Sequence, residues 1–304
     1  MLSEEIKTIR RSGIGGSDVA AIAGLSSYKT ALGVYLDKRG LSEERDMTEA
    51  QRWGHIMEPV ILTEYERKTS IKLIREPETL HSKQYPWMLA NLDGISEDGA
   101  IIVDAKNIDA ANKWQWGVPG TDDIPMYIHL QMAHYAIAAN AHKVDVAVLF
   151  GKHDFKIYSY HRNASLEERI IKMEDKFWHE HVLPKIPPEV KSTEDARLLW
   201  REAIKESVKI ADDKTLDVWN ELKNIKDEIK KAKKKEEELK TILLSEIQDN
   251  ERLVDASGFT LATWKNQPSR RFNQTRVEKY HPELFAYFKD EQITRPLRIN
   301  FKEC

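Results

Sequence analysis

Residues 87–107 read Trp-Met-Leu-Ala-Asn-Leu-Asp-Gly-Ile-Ser-Glu-Asp-Gly-Ala-Ile-Ile-Val-Asp-Ala-Lys-Asn, and the rest of the chain is arranged about this stretch. Two apolar runs flank Glu97-Asp98-Gly99, and Asp-Gly is a strong turn signal, so the segment predicts two β-strands joined by a tight turn. The second run, Ala100-Ile101-Ile102-Val103, has the unbroken apolar character of a strand covered on both faces. Asp93 falls where the first strand runs out, whereas Asp104 and Lys106 are two apart on the second and share a face. Two carboxylates and an ammonium are therefore expected to converge at the end of a buried hairpin.

An Asp-x-Lys triplet by itself more often marks an exposed strand end with solvated charges. An Asp about ten residues upstream changes the chemistry within reach, because the three groups together can hold a divalent metal beside a water-activating amine. Phosphodiester hydrolysis calls for that set: a cation that acidifies water and stabilises charge on phosphate, and a lysine that orients or deprotonates the nucleophile.

Other stretches carry signals of their own. Residues 10–24 are a glycine-bearing loop that opens a helix at Ser17 or Asp18, which is either an anion site built from free N–H groups or a plain N-cap. Between residues 47 and 68, Trp53, Ile56, Met57, Val60, Ile61 and Tyr65 recur at helical spacing, and Glu58 lies beside that stripe. Pro125 starts a helix over residues 126–139, on which Gln131 and Tyr135 share a face while His129 and His134 point elsewhere. Trp114 and Trp116 lie in a polar loop, where they more readily pin it to the body than stack on bases.

Leu92-Asp93-Gly94 and Asp104-Ala105-Lys106 resemble the two halves of the PD-(D/E)xK nuclease motif. The wider pattern resembles the YqaJ-like, lambda-type phage exonucleases. It comprises Gly13-Ile14-Gly15-Gly16-Ser17-Asp18 with Leu25-Ser26-Ser27-Tyr28-Lys29-Thr30, then Trp53-Gly54-His55-Ile56-Met57-Glu58-Pro59, then Gln131-Met132-Ala133-His134-Tyr135. That resemblance implies an α/β fold with a restriction-endonuclease-like mixed central sheet flanked by helices. It implies catalytic roles for Asp93, Asp104, Lys106, Glu58, Gln131 and Tyr135, and Mg²⁺, or Mn²⁺, held by Asp93, Asp104, Glu58 and the backbone carbonyl of Ala105. Arg11, with Arg10 beside it, and Ser17 would take the 5′-phosphate of DNA. The family usually has Glu where this chain has Asp104, one methylene shorter.

The implied activity is 5′-to-3′ degradation of one strand at double-stranded DNA ends, leaving 3′ overhangs for a single-strand annealing protein in phage-type recombination. Relatives form ring-shaped trimers around DNA. An endonuclease or nickase on the same core, and a non-catalytic DNA-end or partner-binding module, are the competing readings. A binding module has no need of Glu58, Asp93, Asp104, Lys106 and Gln131 together.

Composition narrows the field. The 304-residue chain has a net charge of −3, so any DNA contact must be local, and an acidic site with a metal is compatible with that. The single cysteine, Cys304, excludes internal disulfides, zinc-finger ligation and the four-cysteine iron–sulfur cluster carried by some related nucleases. No apolar run reaches the length of a membrane span and residues 1–7 lack a signal-peptide core, which predicts a cytoplasmic protein.

Residues 144–150 and 155–160 predict two further strands, and residues 166–182 an amphipathic helix ended by Pro184, Pro187 and Pro188. Three segments are expected: a nuclease core over residues 1–190, a charged helical extension over 191–250 and a small β/α element over 251–304. Within the extension, Val218, Leu222, Ile225, Ile229, Ala232, Leu239 and Leu243 form a heptad-like seam interrupted by Glu236. It fits a helical hairpin packed on its own domain or a coiled-coil surface. Arg270, Arg271 and Arg276 with Phe272 make the one basic-aromatic cluster, more a surface feature than a DNA site.

Overall fold

The computed structural model describes residues 4–42, 46–269, 272–289 and 295–299. Arg270, Arg271 and Cys304 lie outside the described residues. The chain forms two compact units that divide between Leu199 and Trp200.

The first unit runs α1 (Glu4–Arg11), β1 (Ile14–Gly15), α2 (Gly16–Ile22), α3 (Ala31–Lys38), α4 (Glu49–Thr69), β2 (Leu73–Arg75), β3 (Leu80–His81) and β4 (Met88–Ala90). It continues β5 (Gly94–Ser96), β6 (Ile101–Ile108), α5 (Met126–Ala139), β7 (Lys143–Phe150), β8 (Asp154–His161), α6 (Ala164–Phe177) and α7 (Thr193–Leu199). The main sheet has the order β2-β5-β6-β7-β8. β6 and β7 are parallel from Ile101↔Lys143 to Ile108↔Phe150, and the other neighbours are antiparallel, giving the mixed sheet expected. α5 supplies the crossover that parallel neighbours require.

Alternation along β6 sends successive side chains to opposite layers. Ile102 packs with Val144, Val146, Val148 and the apolar side of α5, while Val103 packs with Ala147 and with Ile61, Leu62 and Tyr65 of α4. Each such buried side chain contributes about 1.5–3 kcal/mol. Asp145 on β7 shares the α4 layer, where it accepts from Tyr65 Oη at 2.7 Å and Ser159 Oγ at 2.6 Å and lies 2.9 Å from Lys143 Nζ. A buried carboxylate is tolerable only when so supplied.

The stretch 87–107 departs from the simple hairpin in one respect. Gly99, at φ 74°, makes the expected turn, and Ser96 and Asp98 bond the amides of Ile101 and Ala100. The strand before the turn is β5, however, and the preceding apolar run forms β4 in a second sheet, ordered β1-β4-β3. Asp93 therefore sits at the break between two sheets. The break arises because β4 is drawn off by β1, whose Ile14 N–H bonds Trp87 O at 2.6 Å.

α6 continues through a wider π-type turn at Trp178–Val182. Of the two tryptophans after β6, Trp116 is buried against Phe150 and Tyr158, and Trp114 is exposed.

In the second unit, residues 200–212 are irregular. They are followed by a single 35-residue helix, α8 (Asp213–Ile247), rather than a helical hairpin. A two-stranded hairpin of β9 (Arg252–Val254) and β10 (Thr260–Thr263) follows, then α9 (Gln274–Tyr280) and α10 (Pro282–Tyr287). Phe272 of the basic-aromatic cluster is exposed. Among the described residues no helix is long and apolar enough to cross a membrane.

Candidate active site

β5 pairs with β6 only as far as Gly94↔Val103. Beyond that point the β6 edge is open, and its exposed donors need another acceptor. Asp93 Oδ2 takes the Ala105 N–H at 2.7 Å. The N–H and C=O of a strand residue leave on the same side, so the Ala105 carbonyl faces the same opening.

Asp104 and Lys106 project from β6 on the α5 side. Asp104 is 2% exposed, and Lys106 Nζ lies 2.7 Å from its Oδ2. That approach is not along a hydrogen-bonding direction, which leaves Asp104 Oδ2 as a buried oxygen without an aligned donor. Glu58 comes from α4, on the other layer, and is half-buried where the open edge lets it interact with Asp104 and Lys106.

The electrostatics record this crowding. Burial, with Asp104 and Glu58 adding, pushes Asp93 up to about 7. Burial raises Glu58 as well, opposed by His55 and reinforced by Glu76 and Asp104. Burial would depress Lys106, but Asp104 and Asp93 outweigh it and hold the ammonium above its ordinary range. The site has more negative charge than its single lysine balances.

Gln131 and Tyr135 reach the same place from α5, with Gln131 Nε2 donating to Tyr135 Oη at 2.9 Å. Burial and then Asp104 raise the Tyr135 phenol, so it remains a neutral hydroxyl. Against these two side chains lies Gly16: a Cβ there would stand 2.5 Å from Tyr135 Cε1 and 3.1 Å from Gln131 Cγ. Only glycine lets the first turn of α2 approach the site helix this closely.

α2 opens at Gly16, earlier than expected, and neither Ser17 nor Asp18 is its N-cap. Gly15 holds that position, and Asp18 reaches back to accept the Gly15 N–H at 3.1 Å. The same carboxylate lies 2.6 Å from Lys38 Nζ, which also donates to Arg10 O at 2.8 Å. Ser17 is exposed, as are Arg10 and Arg11. The Arg11 guanidinium lies over Gly40.

The structure thus brings Asp93, Asp104, Lys106, Glu58, Gln131, Tyr135 and the Ala105 carbonyl to one opening, and places Arg10, Arg11 and Ser17 on the surface around α2. The carboxylates do not converge on a single point: among the described residues no group of three His, Cys, Asp or Glu is closed enough to coordinate an ion. Asp93 is occupied by the Ala105 amide and Asp104 by Lys106, which separates like charges. The donor set nevertheless fits a hard divalent cation. It is all oxygen, it includes Asp104 Oδ2, which has Lys106 beside it but no donor aligned on it, and burial and neighbouring carboxylates hold Asp93 well above the ordinary aspartate range.

Sequence reasoning did not find Glu174. His134 is fully buried, with Nδ1 2.8 Å from Glu174 Oε1 and Nε2 2.9 Å from Leu89 O, so it ties α5 to α6 and to β4. The only sequence signal is an acid inside the apolar period of α6.

Residues 5–142 match the family model of the YqaJ-like viral recombinase domain. Over 304 residues it is 27% identical to the uncharacterized protein YqaJ of Bacillus subtilis (strain 168), a match covering 97% of this chain and 92% of that one. Among solved structures it is similar to an alkaline exonuclease from Laribacter hongkongensis, with TM-score 0.49 and 15% identity over 60% of this chain and 94% of that chain. A phage related exonuclease from Haemophilus somnus 129PT gives TM-score 0.41 and 12% identity, covering 58% and 97% of the two chains.

Proposed function

We propose that the protein is a metal-dependent deoxyribonuclease that hydrolyses phosphodiester bonds at double-stranded DNA ends. The observation that carries this reading is the open edge of β6, where Asp93, Asp104, Glu58 and Lys106 meet beside a buried carboxylate oxygen without an aligned donor. The match of residues 5–142 to the YqaJ-like viral recombinase domain agrees with it.

Asp93, Asp104, Glu58 and the Ala105 carbonyl would hold a cation of the Mg²⁺ or Mn²⁺ type. When bound, it supplies Lewis acidity toward phosphate and lowers the pKa of water. Lys106 carries its proton, so it serves as a donor that orients the attacking water and offsets charge on the phosphate. Gln131 and Tyr135 present an amide and a hydroxyl to the same opening and position the strand. Arg11, Arg10 and Ser17 would hold the 5′-phosphate, giving 5′-to-3′ degradation with a 3′ overhang for an annealing protein.

The test is a time course on end-labelled linear duplex and on covalently closed circular DNA, with Mg²⁺ or with chelator. Loss of the linear substrate alone, only with metal, supports an exonuclease. Cutting of the circle indicates an endonuclease, and binding without turnover a DNA-end module.

A further inference from the structure

α8 spans about 52 Å at the helical rise of 1.5 Å per residue. Among the described residues of its own unit, nothing covers most of its apolar seam. Val218, Ile225, Ile229, Leu239 and Leu243 are between 43% and 59% exposed, and Leu222 is half-buried. Steps of four and three continue through Ala232 and Glu236, so the seam occupies the two apolar positions of the heptad over about four repeats. Exposed alternation of this length is what a partner helix covers.

The charges flanking the seam identify that helix. On one flank stand Glu221, Glu228 and Lys235, and on the other Lys226, Lys233 and Lys240. In a parallel pair, a residue on the first flank meets the residue five positions on in the other chain. Two copies of this helix, parallel and in register, therefore oppose Glu221 to Lys226 and Glu228 to Lys233 on both sides. The third pairing, Lys235 with Lys240, is unfavourable but relieved, since Lys240 already holds Glu236 at 2.7 Å and Glu237 at 3.0 Å. An antiparallel pair would set the lysine flank against itself along its whole length. In register the two copies of Glu236 face each other on the seam, and each keeps its counter-charge from Lys240 of its own helix, 2.7 Å away.

We propose that α8 is a self-association surface, on which a second copy of this chain pairs its own α8 in parallel and in register. This stands apart from the nuclease reading and needs no site residue.

The experiment uses the full chain with Cys304→Ser. Sedimentation equilibrium over about 1 to 100 µM reads the mass, because association makes it concentration-dependent. The parent is expected to exceed monomer mass, and Ile225→Asp/Ile229→Asp, which alters only exposed positions, is expected to lower that mass with helix content retained. Glu221→Lys/Glu228→Lys should weaken association at least tenfold, and adding Lys226→Glu/Lys233→Glu should restore it. Ile225→Cys should oxidise to a disulfide-linked dimer, since only the parallel register puts the two copies of residue 225 side by side. A parent that is monomeric throughout, an unchanged mass in the double Asp variant, or no cross-link at residue 225 would each overturn the proposal.

Discussion

Asp93 Oδ2 accepts the backbone N–H of Ala105 at 2.7 Å, at the point where β5 leaves the edge of β6. One carboxylate thus finishes the sheet and helps to form the site, and the two roles separate by mutation. Asn at position 93 keeps an oxygen for the Ala105 amide and removes the charge that crowds Asp104 and Glu58. Asp93→Asn is therefore expected to unfold at the same temperature as the parent or slightly higher, while nuclease activity falls by a factor on the order of 100 or more. Thermal unfolding and end-labelled DNA degradation, measured on one preparation, check both halves.

Gly16→Ala tests the close approach of α2 to α5. Alanine is the better helix former, so propensity alone predicts a gain of about 1 kcal/mol. The 2.5 Å contact with Tyr135 Cε1 overrides it. The expected outcome is a loss of about 1–3 kcal/mol on denaturant unfolding, with lowered activity as Tyr135 and Gln131 are displaced.

Asp18 gives a pH signature. Burial would raise its carboxyl, but Lys38 and Lys29 outweigh burial and hold it below the ordinary aspartate value. With the folded pKa depressed, its stabilisation is present above the unfolded value of about 3.9 and is lost as pH falls through the folded one. Asp18→Asn, which leaves Lys38 without its counter-charge, is expected to cost about 3 kcal/mol at pH 7. Chemical denaturation of both proteins from pH 7 down to about 3 should show that difference shrinking only below pH 4.

Arg11→Ala and Ser17→Ala address the 5′-phosphate. If these exposed groups around α2 hold the DNA end, each variant should lose several-fold more rate on 5′-phosphorylated than on 5′-hydroxyl duplex at fixed salt. An unchanged ratio removes the pocket.

Much of this arrangement is legible in the chain because it is local. The period-two alternation places Asp104 and Lys106 on one face, Asp-Gly marks the turn, and the helix over residues 126–139 follows from Pro125 and its apolar period. What is not legible depends on long-range pairing. Nothing near Leu89 says that β1 will claim it for a second sheet, so the hairpin reads as continuous. Asp18 looks like a helix-opening residue, and only the fold brings Lys38 to it. Asp145 and Glu174 look like ordinary polar breaks until Tyr65, Ser159 and His134 arrive from distant elements. Glu58 lies on the layer opposite Asp104, a relation that helical spacing alone cannot express.

The most direct measurement is the rate of degradation of end-labelled linear duplex by Asp104→Asn at saturating Mg²⁺, beside the parent protein. Asn keeps the size of the buried side chain and removes the charge at the oxygen that lacks an aligned donor. A fall of two or more orders of magnitude with an unchanged unfolding temperature is the predicted result. A rate within about twofold of the parent would contradict the assignment of the catalytic centre to the open edge of β6.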